Sequence, residues 1–300
     1  MSRVVVTGGA GRLGRSVVAV LAAAGHEVTS FDQGHADGLP ATQVSVDLLD
    51  QQATIDAFTA IRPESVVHLA AIAVPGALPD PDMFRVNTQL VWSVLQASLE
   101  TGVGNMLLAS SPTVMGYGSP GGWEPSYLPL DEEHPTAPWN GYGASKVAME
   151  QIVQMAVRQH GARMRFGTFR PCFVVSPEEW SGSPTQQGHT LEERLADPSL
   201  AAVSLFNYVD ARDAGEFVNA WLARANEVPN GSTFFVSAPD ALYDGDTADG
   251  LRAHVPAAAH AADRLSGTQS AFSSARAEEL LGWRATRLWR DCLVRTGASS

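Results

Sequence analysis

The sequence of 300 residues has little cysteine, no excess of basic side chains and no long apolar run. Two cysteines, Cys172 and Cys292, are too few for a disulfide framework or for a metal site built from cysteines. The 32 acidic residues outnumber the 20 basic ones, so the net charge of −12 argues against nucleic-acid and membrane partners. Because no segment has the roughly 20 apolar residues of a membrane span and the first residues lack a secretory signal, we expect a soluble cytoplasmic protein.

Lysine is nearly absent, since the 20 basic residues comprise 19 arginines and a single lysine, Lys146. An apolar fraction of 45% and a charged fraction of 17% are sufficient for a large core and exclude a disordered chain. The length corresponds to two domains of roughly 150 residues each, or to one large α/β unit.

Short apolar runs alternate along the chain with stretches of helical periodicity. We predict strands at residues 3–7, 27–31, 43–46, 65–69, 105–109, 163–169 and 233–237. We predict helices at residues 51–60, 84–100, 143–160, 210–224 and 273–281, and one more between the first two strands. Strands that alternate with helices indicate an α/β fold with a parallel sheet. Residues 116–141 and 178–198 lack periodicity, and we expect the first of these segments to be a functional loop.

A glycine-rich turn follows the first strand and opens the first helix. The glycines at positions 8, 11 and 14 permit the close backbone approach that a pyrophosphate requires, and the helix N-terminus favours an anion. In this context Gly8, Gly11, Arg12, Leu13 and Gly14 are candidate cofactor-binding residues of a dinucleotide site. The alternative is a tight turn without a ligand.

Acidic side chains at the ends of the next two strands bear on the choice of cofactor. Asp32 can accept hydrogen bonds from the ribose hydroxyls of an adenosine and would repel a 2′-phosphate, which favours NAD over NADP. NADP is not excluded, because Arg12 and Arg15 are near enough in sequence to accommodate a phosphate. Asp47 and Leu48 either bracket the adenine or, in the case of Asp47, cap the following helix.

Tyr142 and Lys146 are four residues apart at the start of a predicted helix and therefore share one face. A free phenol ionises near pH 10, and a neighbouring cation lowers that pKa. The pair can then exchange a proton with a hydroxyl or carbonyl while a nicotinamide exchanges the hydride. Ser111 and Thr113, just past the fifth strand, could hold the substrate oxygen, although serine is also an ordinary turn residue.

These motifs together resemble the extended short-chain dehydrogenase/reductase superfamily, whose members are often called NAD-dependent epimerases/dehydratases. The resemblance rests on TGGAGRLG at 7–14, HLAA at 68–71, SSPTVMG at 110–116, YGASK at 142–146, Arg170-Pro171, YVDARD at 208–213 and LLGW at 280–283. It covers nearly the whole chain.

The resemblance implies a Rossmann-type doubly wound parallel sheet with a small, mixed C-terminal substrate-binding region. It assigns residues 1–170, rejoined by 204–238, to the dinucleotide-binding domain, and residues 171–203 and 239–300 to the substrate-binding domain. It makes Tyr142 the general acid/base and gives catalytic roles to Lys146, Ser111 and Asn87. It also implies that the cofactor contacts five further residues, which are Leu69, Ala70, Ala71, Lys146 and Pro171.

The sequence departs from the family pattern in places that bear on the substrate. Pro112-Thr113 follows Ser111 where 4,6-dehydratases have Asp-Glu, and Phe173 stands where sugar-nucleotide epimerases usually have an asparagine. We therefore expect a smaller substrate, as in the short uronate and aldose dehydrogenases that the chain resembles. Arg170 or Arg212 either clamps a substrate carboxylate or forms a structural ion pair.

The leading hypothesis is an NAD(P)-dependent oxidoreductase that acts on a hydroxyl or carbonyl carbon of a sugar-like or other small polar substrate. A nucleotide-sugar epimerase with tightly bound NAD is the alternative, and a non-catalytic dinucleotide-binding regulatory protein is a third. No metal is expected, and His68 is interpreted as a packing residue. Related enzymes often pair through two helices, so a homodimer through residues 84–100 and 143–160 is expected.

Overall fold

A seven-stranded parallel sheet forms the centre of the computed structural model, which describes residues 1–74 and 76–293. Its strands are β1 (Arg3–Thr7), β2 (Glu27–Asp32), β3 (Thr42–Ser45), β4 (Ser65–His68), β5 (Asn105–Ala109), β6 (Arg165–Pro171) and β9 (Ser232–Val236). Their order in the sheet is β3-β2-β1-β4-β5-β6-β9, and every pairing is parallel. The predicted α/β class and all seven predicted strands are confirmed, with ends shifted by at most two residues.

Helices cover both faces of this sheet. The long ones are α1 (Arg12–Ala23), α2 (Gln51–Ile61), α3 (Asp80–Thr101), α4 (Gly141–His160) and α8 (Ala211–Arg224). Helices α1 and α8 pack together on one face, and α2, α3 and α4 pack side by side on the other. Successive side chains of β1 point to opposite faces of the sheet, since Val4 and Val6 belong to one hydrophobic cluster and Val5 belongs to the other.

Short elements build a second region beside the carboxyl ends of the strands. They are α5 (Pro177–Trp180), α6 (Leu191–Ala196), α7 (Ser199–Ala202), α9 (Thr247–His254), α10 (Ala259–Ala262), α11 (Ala275–Leu281), α12 (Trp289–Cys292) and the paired strands β7 (Val174–Val175) and β8 (Val209–Asp210). The hydrophobic cluster of α1 and α8 continues into this region, so the two parts share a core. Of the predicted substrate-binding domain, residues 294–300 lie outside the described residues.

Residues 178–198, which we expected to be irregular, contain most of α5 and all of α6. Each helix begins with a capping box, in which Ser176 pairs with Glu179 and Thr190 pairs with Glu193. Each glutamate accepts the N–H of the residue that caps its helix, and the Thr190 hydroxyl accepts the Glu193 N–H in return, so free N–H groups are satisfied in helices too short to show a periodic apolar face. Within the described residues, no helix is long and apolar enough to span a membrane.

Candidate active site

A cavity of about 950 Å³ opens at the carboxyl ends of β1, β2, β4, β5 and β6, where the predicted site residues meet. The residues predicted from sequence that line it are Gly8, Gly11, Arg12, Leu13, Gly14, Asp32, Asp47, Leu48, Leu69, Ala70, Ala71, Ser111, Thr113, Tyr142, Lys146, Pro171 and Phe173. Asn87, Arg170 and Arg212 do not line it.

The glycine-rich turn requires glycine at two positions for steric reasons. A Cβ at Gly14 would lie 2.1 Å from the carbonyl oxygen of Gly8, and a Cβ at Gly8 would lie 2.8 Å from the Ala70 nitrogen. Gly8 also has a φ of +71°. The N-cap of α1 is Gly11, which has no side chain to cap the helix, and the first turn has no acidic residue. The turn therefore leaves room, free N–H groups and a positive helix end for a pyrophosphate.

Asp32 and Asp47 both face the nucleotide end of the cavity. Asp32 accepts hydrogen bonds from the backbone N–H groups of Ala10 (3.1 Å) and Gly34 (3.3 Å), which fix the carboxylate beside the glycine turn. Helix α2 is capped by Asp50 rather than by Asp47, so the structure favours the cavity position over the capping role for Asp47.

Arg12 and Arg15 are held by acidic residues of the second region. The Arg12 guanidinium pairs with Glu179, whose side chain is fully buried, and Arg15 pairs with Glu178. The paired carboxylates partly neutralise the two guanidinium charges that a 2′-phosphate would otherwise meet. The two ion pairs therefore reduce the case for NADP that the sequence left open.

Tyr142 and Lys146 lie at the start of α4, and the local sequence determines that start. Asn140 caps the helix by accepting a hydrogen bond from the Gly143 N–H (2.8 Å). Tyr142 and Lys146 are both buried, with the ammonium 5.6 Å from the centre of the phenol ring. The ammonium donates a hydrogen bond to the Ala109 carbonyl at the end of β5 (2.8 Å). The predicted pair is thus assembled in the cavity wall.

Burial controls the protonation of this pair. Burial raises the pKa of the Tyr142 phenol, and a hydrogen bond with Ser111 acts in the opposite direction. Burial lowers the pKa of Lys146 to about 8, and the charge of Glu150 opposes that change. In the free protein the net pKa of the phenol is therefore above its ordinary value, because the desolvation of the phenolate is the largest effect.

The lowered pKa of Lys146 predicts a stability that rises with pH. Between pH 8 and 9.5 the unfolded chain keeps the proton on this lysine and the folded chain releases it, so the free energy of unfolding rises by about 1.5 kcal/mol. Urea unfolding of the wild type and of Lys146→Met, without added nucleotide, measures this contribution as the difference between the two pH profiles. Parallel profiles would show that Lys146 keeps its ordinary pKa.

Sequence reasoning missed Glu150, which continues the series of Tyr142 and Lys146 on α4. The Ser110 hydroxyl donates to Glu150 Oε1 (2.6 Å), and Arg170 forms a bidentate pair with the same carboxylate (2.9 Å for both bonds). Arg170 therefore does not clamp a substrate, and the alternative of a structural ion pair is confirmed. The i, i+4 spacing to Lys146 was the available signal for Glu150.

Arg212 and Asn87 also differ from their predicted roles. Arg212 is bidentate to Asp210, the N-cap residue of α8, and lies away from the cavity. Asn87 is buried on α3, where its amide bonds both backbone groups of Ile72 and the Ser145 hydroxyl. Ile72 lines the cavity and Asn87 does not, so the bonds of Asn87 fix the backbone of a cavity-lining residue.

His68 is buried in the sheet, in agreement with its interpretation as a packing residue. Its Nδ1 lies 2.8 Å from the Thr7 hydroxyl in the sheet. Burial, with a smaller effect from the charge of Lys146, lowers the pKa of His68 to about 3. The ring is therefore neutral near pH 7.

The wall beyond Tyr142 consists of hydroxyl and aromatic side chains. The Thr113 hydroxyl donates to Ser111 Oγ (2.9 Å), which leaves the Ser111 proton for Tyr142. Tyr117 and Trp139, from the loop of residues 116–140, line the cavity as well. The loop that we expected to be functional thus forms part of the site. The arrangement can hold an alcohol or carbonyl oxygen next to the Tyr142 hydroxyl.

Comparison with known proteins agrees with this geometry. Residues 4–236 match the sequence model of the NAD dependent epimerase/dehydratase family. The UDP-glucose 4-epimerase of Azospirillum brasilense is 34% identical over 173 residues, which cover 54% of this chain and 46% of that protein. The match thus spans about half the length of that relative.

Solved structures resemble the whole chain in fold. The UDP-glucose 4-epimerase from Brucella ovis in complex with NAD has a TM-score of 0.73 at 20% identity, covering 99% of this chain and 98% of that one. A short-chain dehydrogenase/reductase superfamily protein from Agrobacterium tumefaciens with bound NAD has a TM-score of 0.72 at 24% identity, covering 97% and 94%. At these identities the likeness establishes the Rossmann-type fold.

Proposed function

The chain belongs to the NAD dependent epimerase/dehydratase family, and on that premise we propose that it is an NAD-dependent oxidoreductase of the extended short-chain dehydrogenase/reductase type. Its substrate would be a sugar-like or other small polar molecule, and hydride would be transferred to or from a hydroxyl or carbonyl carbon of that molecule. The observation that carries the proposal is the joint presence of Tyr142, Lys146 and Ser111 in the cavity that the glycine-rich turn also lines.

The residues of the nucleotide end fit NAD. A pyrophosphate suits the space that a Cβ at Gly14 would fill and the start of α1, which has no side-chain cap. An adenosine ribose suits the carboxylate of Asp32. Leu69, Ala70, Ala71 and Pro171 would contact the nicotinamide half from the ends of β4 and β6. When bound, NAD supplies the acceptor or donor of a hydride.

The chain's own residues move the proton. In the oxidative direction the phenolate of Tyr142 takes the proton of the substrate hydroxyl, and in the reductive direction the phenol returns it. Ser111 holds the substrate oxygen and stabilises the phenolate through its hydrogen bond. Lys146 places a cation beside the ring, and its bond to Ala109 fixes that position.

A second candidate is a nucleotide-sugar epimerase, which the names of the relatives favour. The two functions differ in the fate of the cofactor. When NAD and a substrate are supplied, a dehydrogenase accumulates NADH, which is measured by its absorbance at 340 nm. An epimerase interconverts two sugars with no net change in NAD. We expect net NADH from a sugar, uronate or polyol. Interconversion of UDP-sugars without net NADH would establish the epimerase instead, and cofactor binding without either reaction would support the non-catalytic regulatory protein.

We predict that NADH binds more tightly than NADPH by at least about tenfold, because Asp32 is fixed at the ribose end while Arg12 and Arg15 are paired. Asp32→Asn keeps the shape of the side chain and a hydrogen-bond acceptor but removes the charge. It should therefore reduce the ratio of the affinity for NADH to the affinity for NADPH. Fluorescence titration with NADH and NADPH measures both affinities, with Asp47→Asn as the matched control. An unchanged preference in Asp32→Asn would contradict the repulsion argument.

We also propose a homodimer through α3 and α4, together with a cytoplasmic location. These helices pack side by side, and α3 exposes Phe84 and Trp92, which are 41% and 43% accessible and lie on one helical face. A dimer would cover these aromatic rings. Light scattering gives the mass in solution, and cell fractionation tests the location.

A further inference from the structure

Arg194 on α6 is a buried charged residue that the proposed reaction does not use, and it has no ion-pair partner among the described residues, unlike Arg170 with Glu150. Its side chain is 0% exposed, although arginine is seldom fully buried unless it is paired. The ion pairs of the described residues do not include it, and its Nε has no hydrogen-bond partner. Burial lowers the pKa of Arg194 to about 10, so the group still carries its charge at neutral pH. A buried cation without a counterion is costly in the free protein.

The guanidinium of Arg194 lies directly behind the cavity wall. It stacks on the Phe173 ring at 4.3 Å, and it donates to Gln187 Oε1 (2.5 Å) and Ser204 Oγ (3.3 Å). Phe173, Gln187 and Ser204 all line the cavity, at the end formed by the second region. Because Gln187 accepts through its oxygen, its amide N–H₂ is left to donate elsewhere.

We propose that this wall, formed by Gln187 and Ser204 with Arg194 behind them, binds an anionic group of the substrate. The substrate is then a small hydroxylated anion, with a carboxylate or a phosphate at the end away from the carbon that exchanges hydride. This inference rests on the proposed function and names its substrate class. Arg194 would then have the anion-binding role that the sequence suggested for Arg170 or Arg212.

The chemistry of the wall matches such an anion. A carboxylate or a phosphate would supply the countercharge that the described protein groups do not provide to Arg194. The amide of Gln187 provides the donor at the cavity surface, and the buried guanidinium that Gln187 contacts provides the positive charge behind it.

Binding of simple anions tests the proposal without requiring turnover. Inorganic phosphate and acetate are titrated separately into the protein with saturating NAD, at constant ionic strength, and binding is followed by calorimetry and by the thermal midpoint. We expect saturable binding of at least one anion in the wild type, weakened by at least about tenfold in Arg194→Gln and in Gln187→Ala. Gln186→Ala is the matched control, because Gln186 lines the cavity beside Gln187 without bonding Arg194.

The outcomes separate cleanly. Preferential binding of acetate indicates a carboxylate substrate, and preferential binding of phosphate indicates a phosphorylated one. Absence of saturable binding, equal binding in Gln187→Ala, or equal loss in Gln186→Ala overturns the proposal. If Arg194→Gln fails to fold, Gln187→Ala gives the answer. Tyr142→Phe should retain anion binding, because the phenol is not part of this wall. If the oxidoreductase proposal fails and this one holds, the wild type will bind the anion but show no turnover.

Discussion

Replacing Tyr142 with phenylalanine is expected to lower kcat by about 10²–10⁴-fold, the usual contribution of a positioned general acid/base. The phenol is buried in the cavity wall and hydrogen-bonds with Ser111, so its hydroxyl is the group placed to exchange a proton with the substrate oxygen. Phenylalanine retains the ring that packs beside Lys146. The affinity for NADH, measured by fluorescence titration, should therefore stay within about twofold of the wild type.

Tyr117 provides the matched control for this variant. It lines the same cavity, and burial raises the pKa of its phenol, so both tyrosines are protonated in the free protein. Tyr117 lacks a lysine four residues further along the chain. Tyr117→Phe should keep most of the turnover. Equal activity of Tyr142→Phe and the wild type would refute the proton transfer on which the proposed function depends.

Lys146 affects the alkaline side of the same reaction. Because its pKa is lowered to about 8, its charge is lost as the pH rises above that value. The buried phenolate then loses the nearby cation that favours it. In the oxidative direction kcat should therefore rise less between pH 8 and pH 10 than it would if Tyr142 ionised like a free tyrosine.

Elements with a strong local pattern were predictable from the sequence. The seven strands of the sheet are apolar runs bounded by turns, and the long helices have periodic apolar faces, so local sequence is sufficient to identify them. The glycine turn and the Tyr142–Lys146 pair were predictable for the same reason, since each lies within a few residues. Parallel strands then bring these local motifs to one edge of the sheet.

Side-chain partners were not predictable in the same way. Arg170 meets Glu150 because α4 packs against β6, and Arg194 meets Gln187 and Ser204 because the short elements of the second region pack together, whereas Arg212 pairs with Asp210 only two residues away. An arginine looks the same in sequence whether it is paired with a carboxylate or left without one. Sequence alone therefore offered Arg170 as a substrate clamp, and only the packing shows that its charge is already balanced.

The Glu150–Arg170 pair should produce the largest loss of stability among these variants. Arg170→Met leaves the buried carboxylate of Glu150 without its bidentate partner, which should cost about 3–5 kcal/mol of unfolding free energy. The double variant Glu150→Gln/Arg170→Met removes both charges. Ser110 can still donate to the amide oxygen of glutamine, so most of that loss should be recovered.

A double-mutant cycle in urea distinguishes this buried pair from two independent packing residues. Independent residues would give additive losses, whereas a buried pair gives a double variant more stable than the sum of the single changes predicts. Glu150→Gln also removes the charge that opposes the lowering of the Lys146 pKa, so that pKa should fall further below its ordinary value. The stability rise assigned to Lys146 would then begin at a lower pH, and additive losses with no such change would show that the pair contributes packing alone.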